Sequence, residues 1–232
     1  MNTYVDFVSD EVFLDCTKWV CDAYPEDADQ INMQELQRNV LDPFKLIFDI
    51  TNQGVDMPSW IKTEQIRQRD KTINNRIGEF HQKLLGNVEG WVDLGVGDDT
   101  RVDLKKEDDS IFVELKNKYN TMNADASNSC RDKLEQAVTN YPECTAYWAY
   151  LIGNNGTSGD CVWQKKGREI NNRIRKIWGW RVYELITGDH DSLKNTWSAL
   201  PLAISDLLEQ ELICRDVDET RILNSFYNSA FH

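Results

Sequence analysis

Val102-Asp103-Leu104-Lys105-Lys106-Glu107-Asp108-Asp109-Ser110-Ile111-Phe112-Val113-Glu114-Leu115-Lys116 carries the pattern on which the reading of this 232-residue chain turns. From Ser110 to Lys116 the side chains alternate. Ile111, Val113 and Leu115 fall on one face of a strand, and Phe112, Glu114 and Lys116 on the other, so the segment is predicted as a half-buried β-strand. Glu114 and Lys116 then leave the same face about 7 Å apart. A two-residue turn at Asp108-Asp109 pairs Glu107 with Ser110 and sets Asp103 opposite Glu114. Cross-strand neighbours have Cβ atoms about 4.5–5.5 Å apart.

Outward from this hairpin the period changes. Apolar residues recur at helical spacing over about Asp10–Ala23, over Met33–Asp49 with a break or restart at Pro43, and over Trp60–Leu85 with Gly86 as the stop. In the long helix Ile61, Ile66, Ile73, Ile77, Phe80 and Leu84 are expected inside and the arginines outside. Downstream, Ser129–Tyr141 reads as a helix and Thr145–Ile152 as a buried strand. Asn154–Gly159 reads as a turn, Arg181–Thr187 as a strand, and Leu193–Leu212 as one or two helices. Helices followed by strands and then alternating elements give an α/β or α+β domain around a central sheet. No repeat, low-complexity tract or linker interrupts it. A single domain over 1–232 is expected, with a helical part at about 1–88, a sheet core at about 89–190 and closing helices at about 191–232.

Hydrophobic residues make up 41% and charged residues 28%, a composition that supports a packed core and argues against extended disorder. No apolar run reaches the roughly 18 residues of a membrane helix, and the N-terminal MNTYVDFVSDEVF lacks the pattern of a secretory signal. The six cysteines form no Cys-x-x-Cys pair, which argues against structural zinc and fits reduced thiols in a cytoplasmic protein. The net charge of −13 and pI of about 4.7 argue against a nonspecific DNA coat. Charge is nevertheless segregated. Lys62–Arg76 and Lys165–Arg181 are basic, while Asp22–Glu35 and Asp206–Glu219 are acidic.

Two carboxylates on adjacent strands repel each other unless a cation lies between them. Oxygen donors of this kind suit magnesium, which keeps several waters and takes one or two protein carboxylates together with substrate phosphate. A lysine beside them orients or deprotonates a water. In outline this is a site for metal-assisted phosphodiester hydrolysis. Asp93, Asp98 and Asp99 are rival acids, and Asp103 is preferred for its hairpin register. Gly95-Val96-Gly97 lacks the third glycine of a dinucleotide loop, and Asp98–Asp109 lacks the central glycine of a calcium loop. Tyr147-Trp148-Tyr150 reads as core.

Asp103 with Glu114-Leu115-Lys116 resembles the PD-(D/E)xK nuclease motif, with Val102 in the proline position. The surrounding text is more specific. Ile77-Gly78-Glu79-Phe80-His81-Gln82-Lys83-Leu84-Leu85-Gly86, Gly90-Trp91-Val92-Asp93-Leu94-Gly95 and Glu114-Leu115-Lys116-Asn117-Lys118-Tyr119-Asn120-Thr121 resemble the type II restriction endonucleases that cut GGNCC and GGWCC palindromes. Val40-Leu41-Asp42-Pro43-Phe44, Tyr183–Asp189 and Leu200-Pro201 extend the resemblance over about residues 10 to 205. It implies a PD-(D/E)xK core with a mixed β-sheet flanked by helices. It also implies Asp103 and Glu114 as ligands of Mg2+, the Leu115 carbonyl as a further ligand, Lys116 as the catalytic lysine and Glu79 as an auxiliary acid.

The implied substrate is double-stranded DNA. Asn117, Lys118, Asn120 and Thr121 follow the active-site strand and are candidate contacts. Lys165, Lys166, Arg168, Asn172, Arg173 and Arg175 are further candidates on an expected loop, with Lys62, Arg67, Arg69, Lys71 and Arg76 as second choices for phosphate. A palindrome is read most simply by a homodimer, and a cognate DNA methyltransferase would protect the same site. A structure-specific or repair nuclease of the same superfamily, or a noncatalytic DNA-binding protein, also fits the bare Glu-x-Lys pair.

Overall fold

The computed structural model describes residues 2–24, 36, 39–95, 102–209 and 217–231. In chain order the helices and strands are α1 (Asp10–Cys21), α2 (Pro43–Gln53), α3 (Met57–Gly86), β1 (Trp91–Asp93), β2 (Leu104–Lys106), β3 (Ile111–Lys118), α4 (Ala124–Asn140), β4 (Thr145–Ile152), β5 (Gly159–Val162), β6 (Ile174–Trp178), α5 (Trp180–Thr187), α6 (Ser192–Leu208) and α7 (Val217–Phe231). They group into two compact units, one of Met1–Lys18 with Gly78–His232 and one of Trp19–Ile77.

In the smaller unit, a helix restarts at Pro43, as expected, with the proline as the first residue of α2. Asp42 caps it, its carboxylate accepting from the backbone N–H groups of Phe44 and Lys45, and Gly54 closes it in the left-handed conformation. Residues 33–35 and 37–38, where a longer helix was expected, lie outside the described residues. Along α3, Trp60 is buried as expected, but Ile66 is exposed and Glu64 and Gln65 are buried. Glu64 is tolerated because Arg67 and Gln68 donate to it from the next turn.

The larger unit holds the six-stranded sheet, ordered β1-β2-β3-β4-β6-β5. Pairs β3–β4 and β4–β6 are parallel and the other three antiparallel, so the sheet is mixed, as the resemblance implied. The 17-residue helix α4 makes the parallel crossover from β3 to β4. Its Cys130, Leu134, Ala137 and Val138 pack on Phe112, Ala146 and Ile174 to form a core cluster. At the other end, Gly86 lets β1 lie against the end of α3, where a Cβ would come within 2.5 Å of the Asp93 Cβ.

Three expectations are overturned. Strand β3 is not half-buried. It is central, and Phe112, Val113, Glu114 and Leu115 are all buried. Arg181–Thr187 is helical, within α5, and not a strand. Val182, Tyr183 and Ile186, its buried residues, follow the i, i+1, i+4 spacing of a helix face, and Gly188 stops it in the left-handed conformation. The strand that pairs with β4 is β6, which overlaps the end of the segment expected as a loop.

Candidate active site

The hairpin between β2 and β3 builds the site. Leu104 pairs with Val113 and Lys105 with Phe112, in the expected register, and Asp103 follows directly beyond the last pair. The turn is closed by the Asp109 N–H donating to the Lys106 carbonyl, with Asp109 in the left-handed conformation. The Asp103 N–H donates to the Val113 carbonyl and holds the pair together beyond the end of β2.

Three side chains converge there. The Lys116 ammonium stands 3.3 Å from Asp103 Oδ2 and 2.9 Å from Glu114 Oε1. Asp103 Oδ2 also accepts from the Leu115 N–H at 2.7 Å. Burial raises the Asp103 carboxyl above its usual range. The Lys116 ammonium offsets part of that rise, and the charge on Glu114 adds to it. For Lys116, burial acts to lower the pKa, but the two carboxylates outweigh it and hold the ammonium above its ordinary value.

Sequence reasoning missed a fourth group. Lys133 on α4 reaches Glu114 from the helix side, its Nζ 2.9 Å from both Oε1 and Oε2. Cys130 and Leu134, its neighbours on α4, are core residues. The only signal in the sequence was a lysine at the margin of an apolar helix stripe.

The donor set suits a hard divalent cation. Two carboxylates share one ammonium, so a single cation is within reach of both. Among the described residues no three His, Cys, Asp or Glu side chains converge as a metal cage. A metal that keeps most of its waters needs none.

The remaining candidates are spread more widely. Glu79 is exposed on α3, one turn before Gln82, whose amide donates to Asp93 on β1. Asn117 and Lys118 end β3, and Asn120 and Thr121 form the exposed turn after it. Lys166 and Asn172 are exposed in the loop between β5 and β6. Four other basic candidates have partners within the protein. Lys165 donates to Ser127, and Arg168 pairs with Asp132 and Glu135. Arg175 pairs with Asp160, and Arg173 donates to carbonyls at the end of α4. On the long helix, Arg67 is paired to Glu64, and Arg76 donates to the Trp19 carbonyl. Of the rival acids, Asp93 is held by Gln82, and Asp98 and Asp99 lie outside the described residues. Register also aligns Glu114, Trp148 and Lys176 in one row across β3, β4 and β6, with the Lys176 ammonium over the Trp148 ring.

Comparison with known proteins adds an independent observation. Residues 5–209 match the Eco47II restriction endonuclease family. The chain is 30% identical to the type II restriction enzyme Sau96I of Staphylococcus aureus over 219 residues, 90% of this chain and 82% of that protein. It is 35% identical to the type II restriction enzyme Eco47II of Escherichia coli over 184 residues, 75% of this chain and 76% of that one.

Proposed function

Because the chain belongs to the Eco47II restriction endonuclease family, we propose that it hydrolyses both strands of DNA, with magnesium, at a short palindrome of the GGNCC or GGWCC type. The chain is a type II restriction endonuclease, a site-specific deoxyribonuclease. The observation that carries the catalytic assignment is the convergence of Asp103 and Glu114 on the single Lys116 ammonium.

In this reading Asp103, Glu114 and the Leu115 carbonyl hold Mg2+. When bound, the ion supplies Lewis-acid stabilisation of the phosphate and lowers the pKa of water. Lys116, held as an ammonium by the two carboxylates, orients the attacking water, whose oxygen bonds to phosphorus as the bond to the leaving sugar oxygen breaks; the proton that the water loses passes to solvent and the leaving oxygen takes one up. Glu79 is an auxiliary acid at the margin. Asn117, Lys118, Asn120 and the exposed Lys166 and Asn172 contact DNA. Lys165, Arg168, Arg173 and Arg175 shape the same basic segment while engaged within the protein. A homodimer brings one site to each strand of the palindrome. The enzyme acts in the cytoplasm beside a cognate DNA methyltransferase that marks the same sequence. No described helix is long and apolar enough to cross a membrane.

The test is digestion of unmethylated phage DNA with and without Mg2+, using the wild type, Glu114→Ala and Glu114→Gln. Discrete fragments that need both the metal and Glu114 support the reading, and sequencing their ends names the site. A smear, or cleavage only of branched DNA, points to a structure-specific nuclease. Cleavage that survives Glu114→Gln removes the catalytic assignment.

A further inference from the structure

We propose that Lys133 is a positioning residue that clamps Glu114 and competes with the divalent cation for it. This inference rests on reading Asp103 and Glu114 as the metal-binding pair. Glu114 is only 3% exposed, yet its side chain ends in a carboxyl group met by two ammonium groups. A buried carboxylate persists in a fold only with partners that neutralise it and fill its hydrogen-bonding capacity. Lys116 supplies one contact, to Oε1 at 2.9 Å. Lys133 supplies two, at 2.9 Å to each oxygen, from an element of the fold that carries no other part of the motif.

Counting charge over the four side chains gives the consequence. Asp103 and Glu114 carry two negative charges, and Lys116 and Lys133 carry two positive ones. The cluster is closed without a metal. A dication entering it brings two uncompensated charges into a half-buried place and must also take Glu114 oxygens from an ammonium already bonded to both. Repulsion between a dication and an ammonium a few ångströms away is large at the reduced dielectric of such a site. Metal therefore enters weakly while Lys133 holds Glu114. It enters more readily when negative charge from a DNA phosphate arrives to balance the excess. In this arrangement Lys133 couples occupation of the metal site to the presence of substrate.

The experiment is Mn2+ binding to the DNA-free protein, read as free Mn2+ by electron paramagnetic resonance. The samples are the wild type, Lys133→Met, Lys133→Gln and Lys133→Arg, each also combined with Glu114→Gln. Removing the competing charge is expected to tighten Mn2+ binding by about tenfold or more in both Lys133→Met and Lys133→Gln. Lys133→Arg keeps the charge and stays near the wild type. Glu114→Gln abolishes the tightening. If Lys133→Met fails to fold, Lys133→Gln, which keeps a hydrogen bond to Glu114, decides the matter alone. Unchanged affinity in a folded Lys133→Gln protein whose binding still depends on Glu114 overturns the proposal and leaves the metal reading standing. Affinity that ignores Glu114 altogether overturns the metal reading, and this proposal with it.

Discussion

The Leu115 N–H donates to the Asp103 carboxylate at 2.7 Å, so one side chain of the proposed catalytic pair is fixed by the backbone of the strand that carries the other. The hairpin brings the two acids to one ammonium, that of Lys116, and this bond sets how Asp103 is turned. The bond needs an acceptor, while the proposed chemistry needs a charge. Asp103→Asn separates the two requirements. Its amide oxygen still accepts from Leu115, so the fold is expected to persist with melting within a few degrees of the wild type. Loss of the anion is expected to lower DNA cleavage by about 10²-fold or more, the scale on which removal of one preorganised electrostatic group acts. Plasmid cleavage rates alongside thermal melts check both halves.

Much of this hairpin was legible because its signals are local. The alternation in Ile111–Lys116, the turn residues Asp108 and Asp109, and the ten-residue spacing from Asp103 to Glu114 all lie within one short stretch. Strand β4 was legible with the same bounds for the same reason, as a short apolar run. Less visible were features that depend on partners distant in sequence. Val182, Tyr183 and Ile186 have high strand propensity, and eight residues are too few for helical period to stand out, so α5 read as a strand. Strand β6 was hidden because Arg175 and Lys176 interrupt its buried Ile174 and Ile177. Arg175 is accommodated by Asp160 on the neighbouring strand, a pairing that no spacing rule gives. Lys133 could be recognised only once α4 was folded over β3.

Arg131 shows how costly such distant partners are to remove. Its side chain is fully buried on α4, where it donates to Glu135 and to the carbonyls of Trp163 and Glu169, tying the loop after β5 to the helix. Arg131→Met strips a partner from each of them. Breaking a buried charged network by removing one member costs about 3–5 kcal/mol. A large fall in the urea midpoint is expected. Arg131→Lys is not expected to restore it, because an ammonium cannot present the same fork of donors. A midpoint unchanged by Arg131→Met would remove this account.

Arg173 and Lys166 belong to the same basic segment but should separate in experiment. The Arg173 guanidinium donates to the carbonyl of Val138 in the last turn of α4 and to those of Tyr141, Pro142 and Cys144 just beyond it. Arg173→Ala is expected to cost about 1–3 kcal/mol of stability. Lys166 is exposed, and Lys166→Ala should leave stability unchanged. If Lys166 meets a phosphate, the variant weakens DNA binding across sequences and reduces the slope of log K against log salt by about 0.9. Denaturant titration and binding at several salt concentrations assign each residue its role. A salt slope unchanged in Lys166→Ala takes that residue off the DNA surface.

His81 gives the chain a pH-dependent stability that is separate from its chemistry. Its Nδ1 is hydrogen-bonded to the Tyr183 hydroxyl at 2.7 Å, and its ring packs against Phe80. Burial pushes the imidazole down to about 3. In the unfolded chain it takes a proton near pH 6.5. As pH falls through 6.5, the unfolded state therefore binds a proton that the folded state refuses. Stability is fully present above pH 6.5 and is lost on the way down toward pH 3, by about 1.4 kcal/mol per pH unit for one such group. Between pH 5 and 6.5 most carboxylates are still ionised, so the histidine contribution is cleanest there. His81→Phe fills similar space without a titrating group, and the Tyr183 hydroxyl keeps its hydrogen bond to Thr196. Unfolding free energies measured at several pH values in that window should slope for the wild type and flatten for the variant. Equal slopes in the two proteins would show that His81 takes up its proton in the folded state and that its burial does not resist charge.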